Sequence, residues 1–395
     1  MIAKLHKFCK LLLKAKINFK KPNYSDVIVL DSTSVEDIKN ILIDYKWNAV
    51  ETRNELIKNI YITPYIVIRT FFNFKNNIKI AYLITLIEVI KPKVVLTFID
   101  NSYHFSDIAK NIKNKKIIFL AIQNAWRGDI SEFDYFYKKR IIKFNPNKNI
   151  FLPNFFFHGE NDLKKYKKYK IKVKKFYKIG SFRLYNAVHQ KVKKNQKNFD
   201  ICLISNTTWL RELTGSDGTF ITSYIKLVNY TIQFVREKKL KFIFCLKSSN
   251  RLVSIQNKEI SIFKKYLEKK NFNFLKKNRK FRKKEEFSSY NKAFNSKVVV
   301  GQTSTLLGEC LAFGKKVFSC NFSRLSYCDF PVKGICFLKQ GSYIDFKKKL
   351  NTILNCSDSY YQKNLSQKKN YIVNYNSKIN PNIVIKNFID KVIKQ

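Results

Sequence analysis

The chain is poor in the residues that punctuate irregular structure, with 10 glycines and 7 prolines among 395 residues. That scarcity excludes collagen-like and low-complexity architectures. Histidine is scarcer, at 4, and no two histidines stand at metal-ligand spacing. The 8 cysteines include no CxxC pair, and several lie inside apolar runs such as Phe244-Cys245-Leu246. They read as buried thiols of a reducing compartment rather than as disulfides or zinc ligands. No apolar run nears the roughly 20 residues that cross a bilayer. The N-terminal segment looks like a signal only superficially, because Lys4, Lys7, Lys10, Lys14 and Lys16 interrupt it and no small-residue cleavage site follows. The expected location is cytoplasmic, with a basic N-terminus suited to resting peripherally on the inner face of the plasma membrane.

Acidic residues are the other shortage: 28 Asp and Glu against 77 Lys and Arg leave a net charge of +49. Two origins fit this excess. One is a polyanionic partner, either nucleic acid or an anionic membrane surface. The other is codon bias, since Lys, Asn, Ile, Phe and Tyr are all written with A/T-rich codons and all are abundant here. Under either origin the surface attracts phosphates, and salt weakens that attraction. Two basic stretches, KKYKKYKIKVKKFYK at 164–178 and KKNRKFRKK at 276–284, mix cations with aromatics as single-strand binders do. Neither carries an RNP, KH or zinc-finger pattern, so no specific nucleic-acid partner is expected.

What the chain has in quantity is apolar mass: 45% hydrophobic and 15% aromatic residues, enough to exclude global disorder. Its length suits two domains of roughly 150–200 residues. Nearly continuous apolar runs at Val27–Leu30, Val94–Ile99 and Ile117–Ile122 suit strands of a parallel sheet buried on both faces. Helical patterns lie between them, at Ser34–Tyr45 and at Ser106–Ile112 with Ser106 as its N-cap. A Lys-rich stretch at Gln190–Lys197 precedes a second set of strands, Asp200–Ser205, Phe242–Leu246, Lys297–Val300 and Lys316–Ser319. Helices over Ser223–Glu237, Ile255–Lys269, Ser304–Phe313 and Ile383–Ile393 accompany them. The fold class is therefore α/β: two Rossmann-like, doubly wound domains, residues 1–190 and 191–395, facing a cleft.

Chemistry concentrates where such strands end. In KVVVGQTSTLLGECLAFGKKVF (297–318), a buried strand runs through Gly301 into Gln302, Thr303, Ser304 and Thr305, and a helix follows, closed by Gly314. A small polar turn at a strand's carboxyl end and a helix N-terminus is a natural phosphate site. Glu309, one turn into that helix on the Thr305 face, is placed to accept hydrogen bonds from a ribose diol. The bland alternative is a capped βα turn with a solvent-facing Glu. Lys247, Ser248 and Arg251 follow another strand as a diphosphate grip or as a solvated turn. Asp100 ends a first-half strand, either as a base that takes a proton from an acceptor hydroxyl or as an Asx-turn cap. Gln123, Asn124 and Arg127 surround Trp126 at a third strand end, suited to sugar or phosphate recognition or simply a polar loop.

The chain contains no GxxxxGK[ST], GxGxxG, HExxH or GxSxG motif and no convincing DxD pair. A P-loop NTPase, a dinucleotide oxidoreductase, a metalloprotease and an α/β-hydrolase are thereby disfavoured, and neither a cofactor nor a metal is assigned. The residues at Val94–Asn101, Ala121–Gly128, Phe156–Arg183 and Val299–Phe318 resemble those of GT-B glycosyltransferases. Within that fold they are similar to bacterial surface-carbohydrate proteins of capsule and lipopolysaccharide biosynthesis, distantly akin to CDP-glycerol glycerophosphotransferases and capsule Kdo transferases. The resemblance implies a nucleotide-sugar donor on the C-terminal domain, held by Gln302–Thr305 and Glu309. It implies a glycan or lipid-linked acceptor on the N-terminal domain. It also implies cleft roles for Gln123, Asn124 and Arg127 and for the Gly180, Ser181 and Arg183 element. A His-Pro element of the capsule Kdo-transferase pattern is replaced here by Lys247–Ser249. The implied function is metal-independent glycosyl transfer, with polyol-phosphate transfer or nucleotide-sugar epimerisation as the alternative on the same fold; the charge leaves a basic nucleic-acid-binding protein as a third reading.

Overall fold

The computed structural model describes residues 15–32, 35–53, 56–75, 77–126, 150–168, 171–189, 198–206, 219–249, 253–283, 287–323 and 326–395. Through the first half the chain runs β1 (Lys16–Asn18), β2 (Val27–Leu30), α1 (Val35–Leu42), β3 (Trp47–Val50), β4 (Asn59–Tyr61), α2 (Pro64–Asn73), α3 (Ile78–Ile90) and β5 (Val94–Thr97). It continues α4 (Tyr103–Asn111), β6 (Ile118–Ile122), β7 (Phe151–Phe157), α5 (Glu160–Lys168), β8 (Lys172–Lys178) and α6 (Phe182–His189). Six of these strands form a parallel sheet in the order β3-β2-β5-β6-β7-β8, while β1 and β4 pair separately.

The second half runs β9 (Phe199–Ile204), α7 (Thr219–Glu237), β10 (Phe242–Ser249), α8 (Val253–Tyr266), α9 (Lys269–Lys277), β11 (Arg279–Arg282), α10 (Ser288–Phe294) and β12 (Ser296–Gly301). After these come α11 (Thr305–Ala312), β13 (Lys316–Asn321), β14 (Phe337–Lys339), α12 (Tyr343–Asn355), α13 (Asp358–Lys363) and α14 (Pro381–Lys394). Its parallel sheet has the order β11-β10-β9-β12-β13-β14. The central strands β2, β5 and the apolar part of β12 are buried throughout, as sheets covered by helices on both faces require.

Two expectations are corrected in detail. The helix after Asp100 begins at Tyr103, and Ser102 is its N-cap, its Oγ accepting from the Phe105 N–H at 3.3 Å. Ser106 is instead buried, and its Oγ accepts from the Phe151 N–H at 2.8 Å. The helix expected over Ile255–Lys269 is two helices, with Glu268 as N-cap of the second.

The two basic stretches have a structural account. Residues 164–168 make the end of α5 and 172–178 make β8, while 276–277 end α9 and 279–282 make β11. Strands β8 and β11 are the edges of the two sheets. Lysine along an edge blunts strand-to-strand aggregation, because a second chain pairing there would bury its charge.

The expected junction at 190/191 lies outside the described residues, between β8 of one sheet and β9 of the other. The expected second segment needs one correction at its end. Helix α14 packs on the first sheet: Ile385 and Ile389 join the cluster of Val27, Val29, Leu96 and Phe98. Its polar anchors are Tyr45 to Asp390 at 2.6 Å, Asn382 to Asn186 at 2.7 Å and the Lys386–Asp44 pair. The segment leading back crosses so closely that Gly180, at φ +78°, would place a Cβ 1.8 Å from the Asn374 carbonyl oxygen. Only glycine fits there on both counts.

Candidate functional site

The carboxyl ends of both sheets meet, and the QTST corner lies at the meeting. Strand β12 ends at Gly301, and Ser304 caps α11, its Oγ accepting from the Leu306 N–H at 3.3 Å. Thr303 Oγ1 accepts from Asn206 Nδ2 at 2.6 Å, which ties the corner to the end of β9. Gln302 is buried; its Nε2 donates to Ser223 Oγ at 3.2 Å, and its Oε1 has no partner among the described residues. Thr303, Ser304 and Thr305 are half-buried, between core and solvent. From the first half, Trp126 Nε1 donates to the Ser304 carbonyl at 3.2 Å, and its ring meets Phe330 edge-on at 6.4 Å.

Glu309 does not face solvent; it is 1% exposed. Ser181 of the first half donates to its Oε1 at 2.5 Å, and Tyr290 of the second donates to its Oε2 at 2.7 Å. Short O–H···O bonds to an ionised acceptor are about twice as strong as neutral ones. Arg183, two residues beyond Ser181, pairs with Asp37 at 2.6 Å, donates to the Asn124 carbonyl at 3.2 Å and stacks on Phe98 at 4.7 Å. Burial alone would lower the Arg183 pKa, but Asp37, with Tyr290 and Glu309 beyond it, raises it above the ordinary guanidinium value. Beside these groups is a cavity of about 10 Å³, lined by Asp37, Arg183, Lys283, Phe287 and Tyr290.

The donor-side candidates Gln302–Thr305 and Glu309 and the cleft candidates Gly180, Ser181, Arg183 and Asn124, expected on different halves, lie beside one another. Gln123 is a buried organiser: its Oε1 accepts from the His158 N–H at 2.7 Å, and its Nε2 donates to the Ala125 carbonyl at 2.9 Å. Asp100 corrects an expectation. It is fully buried, Tyr166 donates to its Oδ2 at 2.5 Å and the Asn124 N–H donates to its Oδ1 at 3.3 Å. Held that way, it shapes the Gln123–Trp126 loop and does not open onto an acceptor. The strand expected to stop at Leu246 continues to Ser249, so Lys247 and Ser248 are strand residues rather than turn residues. The Lys247 N–H donates to Glu259 Oε1 at 3.0 Å, and Ser205 donates to the same oxygen. Arg127, Arg251 and the side chain of Ser248 lie outside the described residues.

Sequence reasoning missed Tyr290, Asn206, Asp37 and Glu259. Glu259 alone had a signal, being a carboxylate inside a lysine-rich helix; the others are recognisable only from their partners. Among the described residues no three His, Cys, Asp or Glu side chains are grouped to hold a metal, and no helix is long and apolar enough to cross a membrane.

No protein-family model and no curated protein sequence matches the chain. Solved structures do. The UDP-GlcNAc 2-epimerase of Methanocaldococcus jannaschii, in complex with UDP-GlcNAc and UDP, aligns with TM-score 0.51 at 14% identity over 91% of this chain and 98% of that one. The UDP-GlcNAc 2-epimerase of Neisseria meningitidis, bound to UDP-GlcNAc, gives 0.51 at 12% identity over 92% and 99%. The wall teichoic acid polymerase TagF gives 0.50 at 9% identity over 100% and 98%. Likeness at such identities defines the fold: the chain has the GT-B fold, two Rossmann-like α/β halves. What it does with that fold rests on its own residues.

Proposed function

We propose that the chain is a GT-B glycosyltransferase that moves a sugar from a nucleotide-sugar donor to a surface-polysaccharide or lipid-linked glycan acceptor. The observation that carries the reading is Glu309, a buried carboxylate at the junction whose two oxygens each accept a hydroxyl. A ribose presents the same pair of donors, so a nucleotide entering as the halves part would take the places of the Ser181 and Tyr290 hydroxyls. Its diphosphate would then lie at the α11 N-terminus, against the Thr303–Thr305 turn. Breaking a sugar–phosphate bond leaves an anionic nucleotide. The helix terminus and nearby cations, Lys247 among them, would stabilise that charge without a metal. Closure of the halves would exclude water that competes with the acceptor.

A second reading, polyol-phosphate transfer or nucleotide-sugar epimerisation, is favoured by the fold's likeness to epimerases and a teichoic acid polymerase. A thermal-shift panel of UDP, CDP and CMP tests the shared premise. One nucleotide at about 100 times its Kd should stabilise by about 2.7 kcal/mol, a rise of roughly 3 °C for a chain of this length. The paired substitution Thr303→Val and Thr305→Val should reduce that rise by more than half. If no nucleotide shifts the melting point, the donor site is elsewhere. Conversion of a nucleotide-sugar without acceptor would replace glycosyl transfer by epimerisation, and movement of a phosphate-bearing group would replace it by polyol-phosphate transfer.

A further inference from the structure

Away from the junction, a cavity of about 740 Å³ opens between the helix pair α2/α3 and strands β3 and β4. Its wall is mostly apolar, with Val50, Ile60, Ile66, Leu83 and Leu86 lining it, and Glu51, Lys58 and Lys79 among its polar residues. Cavities of this size hold small-molecule ligands or a lipid chain. The helix that roofs it is apolar outside as well. Phe71 is 68% exposed and Phe72 75%, and Tyr65, Ile68 and Phe74 are also exposed. Phe19, after β1, is 76% exposed. A soluble surface seldom shows so many large apolar side chains together.

Cations predominate around this face, and the carboxylate on the cavity wall, Glu51, accepts from the Ser32 N–H at 3.2 Å. Lys16, Lys20, Lys21, Lys58 and Lys75 are exposed, and Lys21 lies over the Tyr65 ring at 5.2 Å. Across residues 15–24, 56–75 and 77–90 the sole carboxylate is Glu88, paired with Arg69 at 3.5 Å and bonded by Asn73 at 3.0 Å. Apolar side chains ringed by lysines match an anionic bilayer, whose headgroups take the lysines while its acyl region takes the phenylalanines.

Position links this face to the site. Ser32 and Glu51 on the cavity wall follow β2 and β3, at the same sheet end from which Asp100 and Gln123 follow β5 and β6. At about 4.8 Å per strand spacing, β3 lies roughly 10–15 Å from β5 and β6. A headgroup held at the cavity mouth would therefore stand within reach of the junction.

We propose that this face seats the protein on an anionic bilayer, with one hydrocarbon chain of an anionic lipid entering the cavity. The inference rests on the acceptor half of the function proposed above and makes that acceptor membrane-borne. Flotation with phosphatidylcholine vesicles, with and without 30 mol% phosphatidylglycerol, tests it. Binding should require phosphatidylglycerol and weaken as salt rises. Each lysine near such a surface contributes roughly a factor of five, so Lys20→Glu with Lys21→Glu should weaken binding at least twentyfold. Phe72→Asp, outside the cavity, should weaken it at least tenfold. Val67→Trp, which plugs the mouth, should abolish uptake of a short-chain phosphatidylglycerol below its micellar concentration. The nucleotide-induced melting shift, read on the same variants, should not change; its absence from the parent protein would fault the donor site and leave this face untouched. Equal binding to both vesicle types, uptake unaffected by Val67→Trp, or a dimer that Phe72→Asp dissolves would each overturn the proposal.

Discussion

The Ser181–Glu309 contact makes the sharpest quantitative prediction, because both groups are buried and they come from opposite halves. Ser181→Ala removes a hydroxyl that donates to a carboxylate and also accepts from the Leu184 N–H at 3.2 Å. A hydrogen bond to a charged group is worth about 1.5–3 kcal/mol and a cap about 1 kcal/mol, so the single change should cost about 2.5–4 kcal/mol. Glu309→Gln keeps the shape and one acceptor but removes the charge that both Ser181 and Tyr290 address, and should cost about 2–4 kcal/mol. The double variant decides the matter. If the two residues stabilise each other directly, the combined loss should fall short of the sum by about 1.5–3 kcal/mol. Urea unfolding followed by tryptophan fluorescence is a suitable assay, since Trp126 packs beside the same corner. A coupling under about 0.5 kcal/mol would refute the reasoning, because sites without direct contact add to within that margin.

Gly180→Ala should cost more than about 3 kcal/mol or prevent folding, because the new Cβ would overlap the Asn374 carbonyl at 1.8 Å. Gly314→Ala is its control: φ is +94°, yet the nearest atom is 3.8 Å away, so only the roughly 1 kcal/mol of left-handed backbone strain applies. Burial, reinforced by Lys79, lowers the His104 pKa in the folded state. Folding then disfavours the protonated ring, so this contribution to stability is full above about pH 6.5 and is lost as pH falls through the lower folded value. His104→Gln should flatten the acid limb of stability against pH, and an unchanged slope would show that another group carries it.

The central strands were legible because strands buried on both faces must be apolar throughout: VIVL, VVLT, FDICLI and KVVVG all became strands. The edge strand KVKKFYK and the strand FLPNFFF were not, since lysines solvate one and Pro153 interrupts the other. The amphipathic part of the helical signal also held, whereas α2 and α3, apolar on several sides, lacked a stripe to count. At the site, the small polar turn and the Gly-Ser-x-Arg element were visible as local patterns. Their partners were not, because Tyr290, Asp37 and Asn206 become meaningful only when long-range packing sets them against Glu309, Arg183 and Thr303. Asp100 misled for a related reason: a strand-end carboxylate is described by the sequence alone, and the buried Tyr166 hydroxyl that claims it lies 66 residues away.

The return of α14 to the first sheet has a consequence for how the chain is made. A ribosome that has released residue 189 has delivered every strand of that sheet, yet the patch that Ile385 and Ile389 cover is still bare. At roughly 5–20 residues per second, the missing piece arrives about 10–40 s later. For that interval Val29, Leu96 and Phe98 line an unfinished surface, so nascent chains halted between the two sheets should recruit chaperones that full-length chains shed.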